Sequence, residues 1–175
     1  MKHPPYDPRQ RLDDWVGEHG GAIRGYIWAM TRRADVADDL TQEVFRRAAA
    51  AQEKYQETGH ARAWLLRIAD RLVTDRARKA GREVNIDQTA WTQVEPTTRD
   101  DDPTATLDQQ ETEQQLAAAL QRLSAPQRRV LLLRYYGNME FAEIARTMEC
   151  PLNTALSHCR RGLLMLRKLL VEQAT

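Results

Sequence analysis

The sequence predicts an all-α fold of two small helical domains joined by a flexible acidic linker. Three observations predict it. Apolar residues in the long segments recur at three- and four-residue spacings rather than alternating. The 175 residues include only 8 Gly and 7 Pro, so helix-breaking positions are few. Charge comes in blocks: residues 1–82 carry 16 Lys/Arg against 12 Asp/Glu, residues 83–113 carry 1 against 9, and residues 114–175 carry 9 against 4. A net charge of +1 therefore conceals two basic blocks and a strongly acidic connector. Nucleic acid would be drawn to the blocks and repelled by the connector.

Residues 1–8 (MKHPPYDP) read as a flexible tail. A short helix is expected from Arg9 to His19, with Leu12, Trp15 and Val16 as its buried edge and Gly20–Gly21 as its stop. A second helix follows over residues 22–31, with Ile23, Tyr26, Ile27 and Met30 at helical spacing. Residues 35–52 form an amphipathic helix with Ala37, Leu40, Val44, Phe45 and Ala48 on one stripe. Asp35 stands where an N-cap belongs, and Asp38 and Asp39 sit in the first turn, where the helix dipole favours anions. Asp38, Asp39, Gln42 and Glu43 lie largely off the stripe; they form either a partner surface or an ordinary solvated face.

Residues 53–61 read as a loop. The next helix, residues 62–82, places Leu65, Leu66, Ile68, Ala69, Leu72 and Val73 on one broad side. Arg67, Arg71 and Arg78 fall within roughly a 40° arc on the other, at about 100° per residue. Trp64 borders that arc beside the loop. An aromatic next to an arginine row suits single-stranded nucleic acid, where bases stack on rings and phosphates meet cations; a core-edge tryptophan under a solvated basic face is the alternative.

Residues 83–108 lack periodicity, and Pro96, Pro103 and the DDD run mark an extended or disordered linker whose one large apolar side chain is Trp91. The second domain, residues 109–175, opens on a stripe of Leu116, Ala119, Leu120 and Leu123. Ser124 is an N-cap with Pro126 behind it, and that helix stops at Gly137. A short helix over residues 140–148, with Phe141, Ile144 and Ala145 inward, a turn at residues 149–151 and a helix over residues 152–170 make a helix-turn-helix pattern. In the last helix Ala155, Cys159, Gly162, Leu166, Leu169 and Leu170 share one side. Asn153, Ser157, Arg160, Arg161 and Lys168 share the other. Asn153, Thr154, Ser157 and His158 occupy the N-terminal part that reaches base edges, and Arg160, Arg161, Arg167 and Lys168 suit phosphates or bases.

Enzyme chemistry finds little support. His3, His19, His60 and His158 have no ligand-like spacing, Cys150 and Cys159 fit no CxxC motif, and there is no glycine-rich phosphate loop. No metal and no cofactor is expected. Residues 1–8 lack the apolar core of a signal peptide, and no apolar run reaches membrane-spanning length, so the expectation is a cytoplasmic protein with free thiols and no membrane insertion.

Together the segments resemble the extracytoplasmic-function sigma factors of bacterial RNA polymerase, in the sigma-70 superfamily. DVADDLTQEVFRRA is similar to that family's region 2.2, ARAWLLRIADRLVTDRARK to regions 2.3 and 2.4, and residues 120–170 to region 4. The resemblance covers about residues 9–80 and 116–170. It implies polymerase core as partner, with Asp38, Asp39, Gln42, Glu43 and Arg46 docking on the β′ clamp helices. It implies −10 promoter recognition and melting by Tyr55, His60, Trp64, Arg67, Arg71, Arg78 and Lys79. It implies −35 recognition by Asn153, Thr154, Ser157, His158, Arg160 and Arg161, with the same domain touching the β flap. The acidic linker then threads the polymerase cleft, and an anti-sigma factor is a further partner that many relatives have. Polymerase-independent regulation through the helix-turn-helix is the competing reading. The chain departs from the family at Arg71, where Asn is frequent. It also departs in PLNTALSHC, where the pattern is P-x-G-T-V-K/R-S-R-L: Asn153 replaces Gly, Leu156 a basic residue and His158 an Arg. Leu163 stands at a further basic position. The implied consequence is weaker or altered −35 recognition.

Overall fold

A computed structural model describes residues 8–55, 60–83 and 107–173. The chain divides into two compact units, with the division between residues 94 and 95. All regular structure among the described residues is helical. The expected linker, with Trp91, lies almost wholly outside the described residues, as does the tail before Pro8.

The first unit is built from α1 (Pro8–Thr31), α2 (Ala34–Ala51), a 3-10 turn (Gln52–Lys54) and α3 (Ala61–Glu83), each helix packed on the other two. The expected break at Gly20–Gly21 does not occur; α1 runs through both glycines. Trp15 on one side and Ile23, Tyr26 and Ile27 on the other are all buried on the inward face. That packing outweighs the roughly 1 kcal/mol per glycine that favours a break. Val16, expected at the buried edge, is exposed; it lies about 100° around the helix from Trp15.

The connection from α1 to α2 takes two residues. Arg32 adopts the left-handed region (φ 59), donates its N–H to the Trp28 carbonyl at 2.8 Å and lays its guanidinium 4.4 Å over the Trp28 ring. The N-cap of α2 is Arg33, not Asp35. Asp35 instead sits in the first turn, held by the Arg33 guanidinium at 2.5 and 3.2 Å, which lowers its carboxyl pKa. Val36, Ala37, Val44, Phe45 and Ala48 are buried, so the stripe gains Val36, while Leu40 is only half-buried.

Asp70 of α3 is fully buried and is the one buried charged residue among those described. The Tyr26 hydroxyl, also fully buried, donates to Asp70 Oδ1 at 2.6 Å and ties α1 to α3. A buried carboxyl needs such a donor, because its desolvation is otherwise uncompensated.

The second unit contains α4 (Leu107–Gln121), α5 (Ala125–Tyr135), α6 (Phe141–Thr147) and α7 (Leu152–Gln173), with α4, α5 and α6 all packed on α7. Ser124 caps α5 as expected, and its N–H donates back to Gln127 Oε1 at 3.2 Å. Val130, Leu131, Leu132 and Leu133 are buried in succession, so the middle of α5 is enclosed all round, while Tyr135 at its end is exposed. The α5 chain ends as Gly137 N–H bonds the Leu132 carbonyl, and Asn138 turns left-handed (φ 49). Glu149 (φ 54) makes the second left-handed turn, between α6 and α7. At Gly162 α7 lies tight against α5; a Cβ there would lie 3.0 Å from Leu131 Cδ1. Leu116, expected inside, is exposed. Phe141 is half-buried under the Arg134 guanidinium, 5.4 Å from its ring centre. Both cysteines are free, and burial pushes the Cys159 thiol pKa up, as a packing role requires.

Two substitutions test this packing. A Cβ on Gly21 meets nothing within 4 Å, so Gly21→Ala raises stability by about 0.5–1 kcal/mol. Gly162→Leu overpacks the α5–α7 contact and lowers stability by about 1–3 kcal/mol. Urea unfolding midpoints check both signs.

Candidate functional site

The outer face of α2 carries Asp38, Asp39, Gln42, Glu43 and Arg46 at three- and four-residue separations. The structure sorts them. Arg24 of α1 holds Asp38 at 2.6 Å. Glu43, with its side chain 24% exposed, accepts from Arg46 through both oxygens and from Arg47, each at 2.7 Å. Those hydrogen bonds hold its carboxyl at a pKa of about 2. Asp39 and Gln42 are exposed and have no partner among the described residues. Exposed ion pairs contribute little, about 0–1 kcal/mol, so Glu43 and Arg46 can exchange partners at small cost. Asp39 and Gln42 need exchange nothing.

On α3, Arg71, Arg78 and Lys79 are exposed and Arg67 is half-buried; Arg78 lies 3.5 Å from Asp75. His60 is exposed just before the helix. Trp64 and Tyr55 are half-buried and form a three-ring cluster with buried Trp15, with centroid separations of 4.7 Å for Tyr55–Trp64, 5.1 Å for Trp15–Tyr55 and 5.3 Å for Trp15–Trp64. The cluster locks the start of α3 against α1 and fixes Tyr55 beside the loop. Helical spacing alone singles out neither Arg24 nor Tyr26 nor Asp70 as the residues that tie these helices together. A signal existed for the last: Asp70 lies four residues after Leu66 and three before Val73, inside the apolar arc.

In the second unit, Asn153, Ser157, Arg160 and Arg161 are exposed on α7, while Thr154 and His158 are half-buried. Arg161 Nε reaches the Ser157 carbonyl at 3.3 Å. Two α5 arginines brace the helix-turn-helix from behind: Arg129 donates to the Thr147 carbonyl at 3.0 Å and Arg134 to the Met139 carbonyl at 2.8 Å. Leu152, Leu156 and Leu163 stand 46%, 40% and 42% exposed on this helix. Among the described residues no cluster of His, Cys, Asp and Glu could hold a metal ion, and no helix is long and apolar enough to cross a membrane.

Family models match both units. The Sigma-70 region 2 model matches residues 15–83, and the Sigma-70 region 4 model matches residues 113–166. The chain is 30% identical over 156 residues to the ECF RNA polymerase sigma factor SigL of Mycobacterium tuberculosis, covering 89% of this chain and 86% of that one. The chain belongs to the extracytoplasmic-function sigma factors of the sigma-70 family. It is also 30% identical over 152 residues to the ECF sigma factor SigK of Mycobacterium bovis, covering 85% of this chain and 79% of that one. The fold is shared with the sigma factor RpoE of Bartonella quintana, solved in complex with the anti-sigma factor NepR. The TM-score is 0.74 at 23% identity, covering 92% of this chain and 97% of that one. In this sigma factor α1–α3 thus carry region 2, and the helix-turn-helix is part of region 4.

The Glu43 cluster is directly measurable. Its depressed pKa means that its pairing is fully present above the ordinary carboxylate value of 4.5 and is lost only as pH falls through about 2. A carbon-detected NMR titration of Glu43 is expected to show it ionised at pH 3.5, and Arg46→Ala combined with Arg47→Ala to return its midpoint toward 4.5.

Proposed function

We propose that this sigma factor anchors to RNA polymerase core through the α2 face, led by Asp39 and Gln42, with Glu43, Arg46 and Asp38 re-pairing at the contact. The partner surface is the β′ clamp helices. The α3 face of Arg67, Arg71, Arg78 and Lys79, with Tyr55, His60 and Trp64 at its loop end, holds the −10 strand once it is melted. Unstacking costs a few kcal/mol per base step, which cations and rings on one rigid helix offset. The second unit reads −35 duplex through Asn153, Thr154, Ser157, His158, Arg160 and Arg161 and touches the β flap. The acidic connector follows the polymerase's nucleic-acid channel.

The observation that carries this reading is the pairing of two unpartnered polar side chains, Asp39 and Gln42, with a region 2 match that spans the same helix. The factor itself is non-catalytic in this reading; the chemistry is the polymerase's, and the site of action is the cytoplasm. An anti-sigma factor is a further partner, supported by the complex in which the similar RpoE was solved. Regulation without polymerase would leave the α2 and α3 surfaces of the first unit without a role.

Two outcomes are expected. Asp39→Arg abolishes capture of β and β′ and run-off transcription from a matched promoter, while duplex binding by the second unit is unchanged; undiminished capture would remove α2 as the anchor. Leu156→Arg adds a phosphate contact, so the dependence of log K on log salt steepens by about one unit.

A further inference from the structure

The first two turns of α7 present an unusual mixture to solvent. Leu152 and Leu156 are 46% and 40% exposed, interleaved with exposed Asn153, Ser157 and Arg160. The two leucines sit four residues apart, so they lie on nearly one line along the helix. Their positions are at the N-terminal end of the second helix of a helix-turn-helix, the part that enters a major groove. Both keep a large part of their surface open among the described residues.

We propose that Leu152 and Leu156 are specificity-determining residues that read thymine methyl groups in the −35 duplex. The inference rests on the proposed DNA-binding role of α7. The C5-methyl of thymine is the apolar contact that the major groove offers, and it distinguishes T·A from every other pair at that edge. A leucine cannot pair with phosphate or bond a base edge, so only that methyl rewards its desolvation in the groove. Asn153 on the same turn is the residue type that pairs bidentately with adenine N6 and N7. The two leucines are about 6 Å apart along the helix axis, close to two base-pair steps of about 3.4 Å each, so they reach pairs no more than about two steps apart. The element read by this helix is therefore A·T-rich at those steps, and its recognition depends less on salt than recognition by a basic residue at position 156 would.

The interleaving favours DNA over a protein partner here. Leu163 lies on the same line, and Leu164 and Val171 are exposed further along α7, but the polar readers of the first turns, Asn153 and Ser157, stand beside Leu152 and Leu156. Leu163, two turns further on, belongs to the part of the helix that leaves the groove and serves as the internal control.

The test uses holoenzyme reconstituted from polymerase core and the full chain. Promoter duplexes are first recovered from a pool randomised over the −35 region. Each thymine in the recovered sequence is then replaced by deoxyuridine, which removes one methyl group and nothing else. Wild-type holoenzyme is expected to bind about fourfold more weakly at one or two positions, the size of a single buried methyl contact. Leu156→Ala or Leu152→Ala each erase one of these penalties, with helix content by circular dichroism unchanged, and Leu163→Ala erases none. Specific duplex binding without any deoxyuridine penalty overturns the inference and leaves the DNA-binding role standing. Failure to recover any preferred sequence overturns both. A Leu156→Ala protein that captures core more weakly, while the holoenzyme it does form keeps every deoxyuridine penalty, overturns the inference in favour of a protein-facing stripe.

Discussion

Inside the first unit, among the described residues, a buried carboxyl sits within a largely apolar core. The Tyr26 hydroxyl meets the Asp70 carboxyl at 2.6 Å with both side chains fully buried. An apolar interface between two helices tolerates small rotations, since one methyl contact replaces another. A buried carboxyl does not, because losing its donor leaves desolvation uncompensated, at about 1–3 kcal/mol or more. The pair therefore fixes the rotation of α3 about its own axis relative to α1. With Asp70 turned inward, Arg71 and Arg78 face outward. Arg24, two residues before Tyr26 on α1, grips Asp38 of α2 and orients the acidic face by the same scaffold.

The consequence is a rigid block in which the relative directions of the outer faces of α2 and α3 are set by core chemistry. The three-ring cluster extends this logic to the loop. Trp15, Tyr55 and Trp64 bury much of one another, so the start of α3 is braced from inside while Tyr55 and Trp64 keep partial exposure beside the loop. Packing and base contact are compatible roles for such rings, because an aromatic edge can be held while part of its face stays open. In the second unit, arginines of α5 do the bracing through backbone carbonyls of the α6 end and the preceding loop.

Much of this was legible in the sequence. Helical periodicity identified α2, α3, α5 and α7, and Ser124 gave the start of α5. What escaped was decided by tertiary context. Gly20 and Gly21 read as a stop because local propensity is all a single sequence displays; the buried Trp15 and Ile23 on either side carry the helix through. Asp35 has the side chain of an N-cap, yet the backbone turns one residue before Ala34, and the carboxylate found Arg33 instead. On the outer face of α2, spacing grouped Asp38, Asp39, Gln42 and Glu43 without distinguishing them. Only side-chain geometry separates Asp38 and Glu43, already paired, from Asp39 and Gln42. Leu156 and Leu163 of α7 were visible as departures from a family pattern, whereas Leu152, at an unspecified position of that pattern, was not, and the exposure of all three was decided by tertiary packing.

The central claim is that one rigid unit meets protein on α2 and DNA on α3. Its most direct test is site-specific photo-crosslinking in a reconstituted promoter complex, with the crosslinking side chain placed at residue 39 or at residue 71. The account predicts that residue 39 crosslinks to a polymerase subunit and residue 71 to the non-template strand of the melted region. Crosslinks from residue 39 to DNA, or from residue 71 to protein alone, would contradict it.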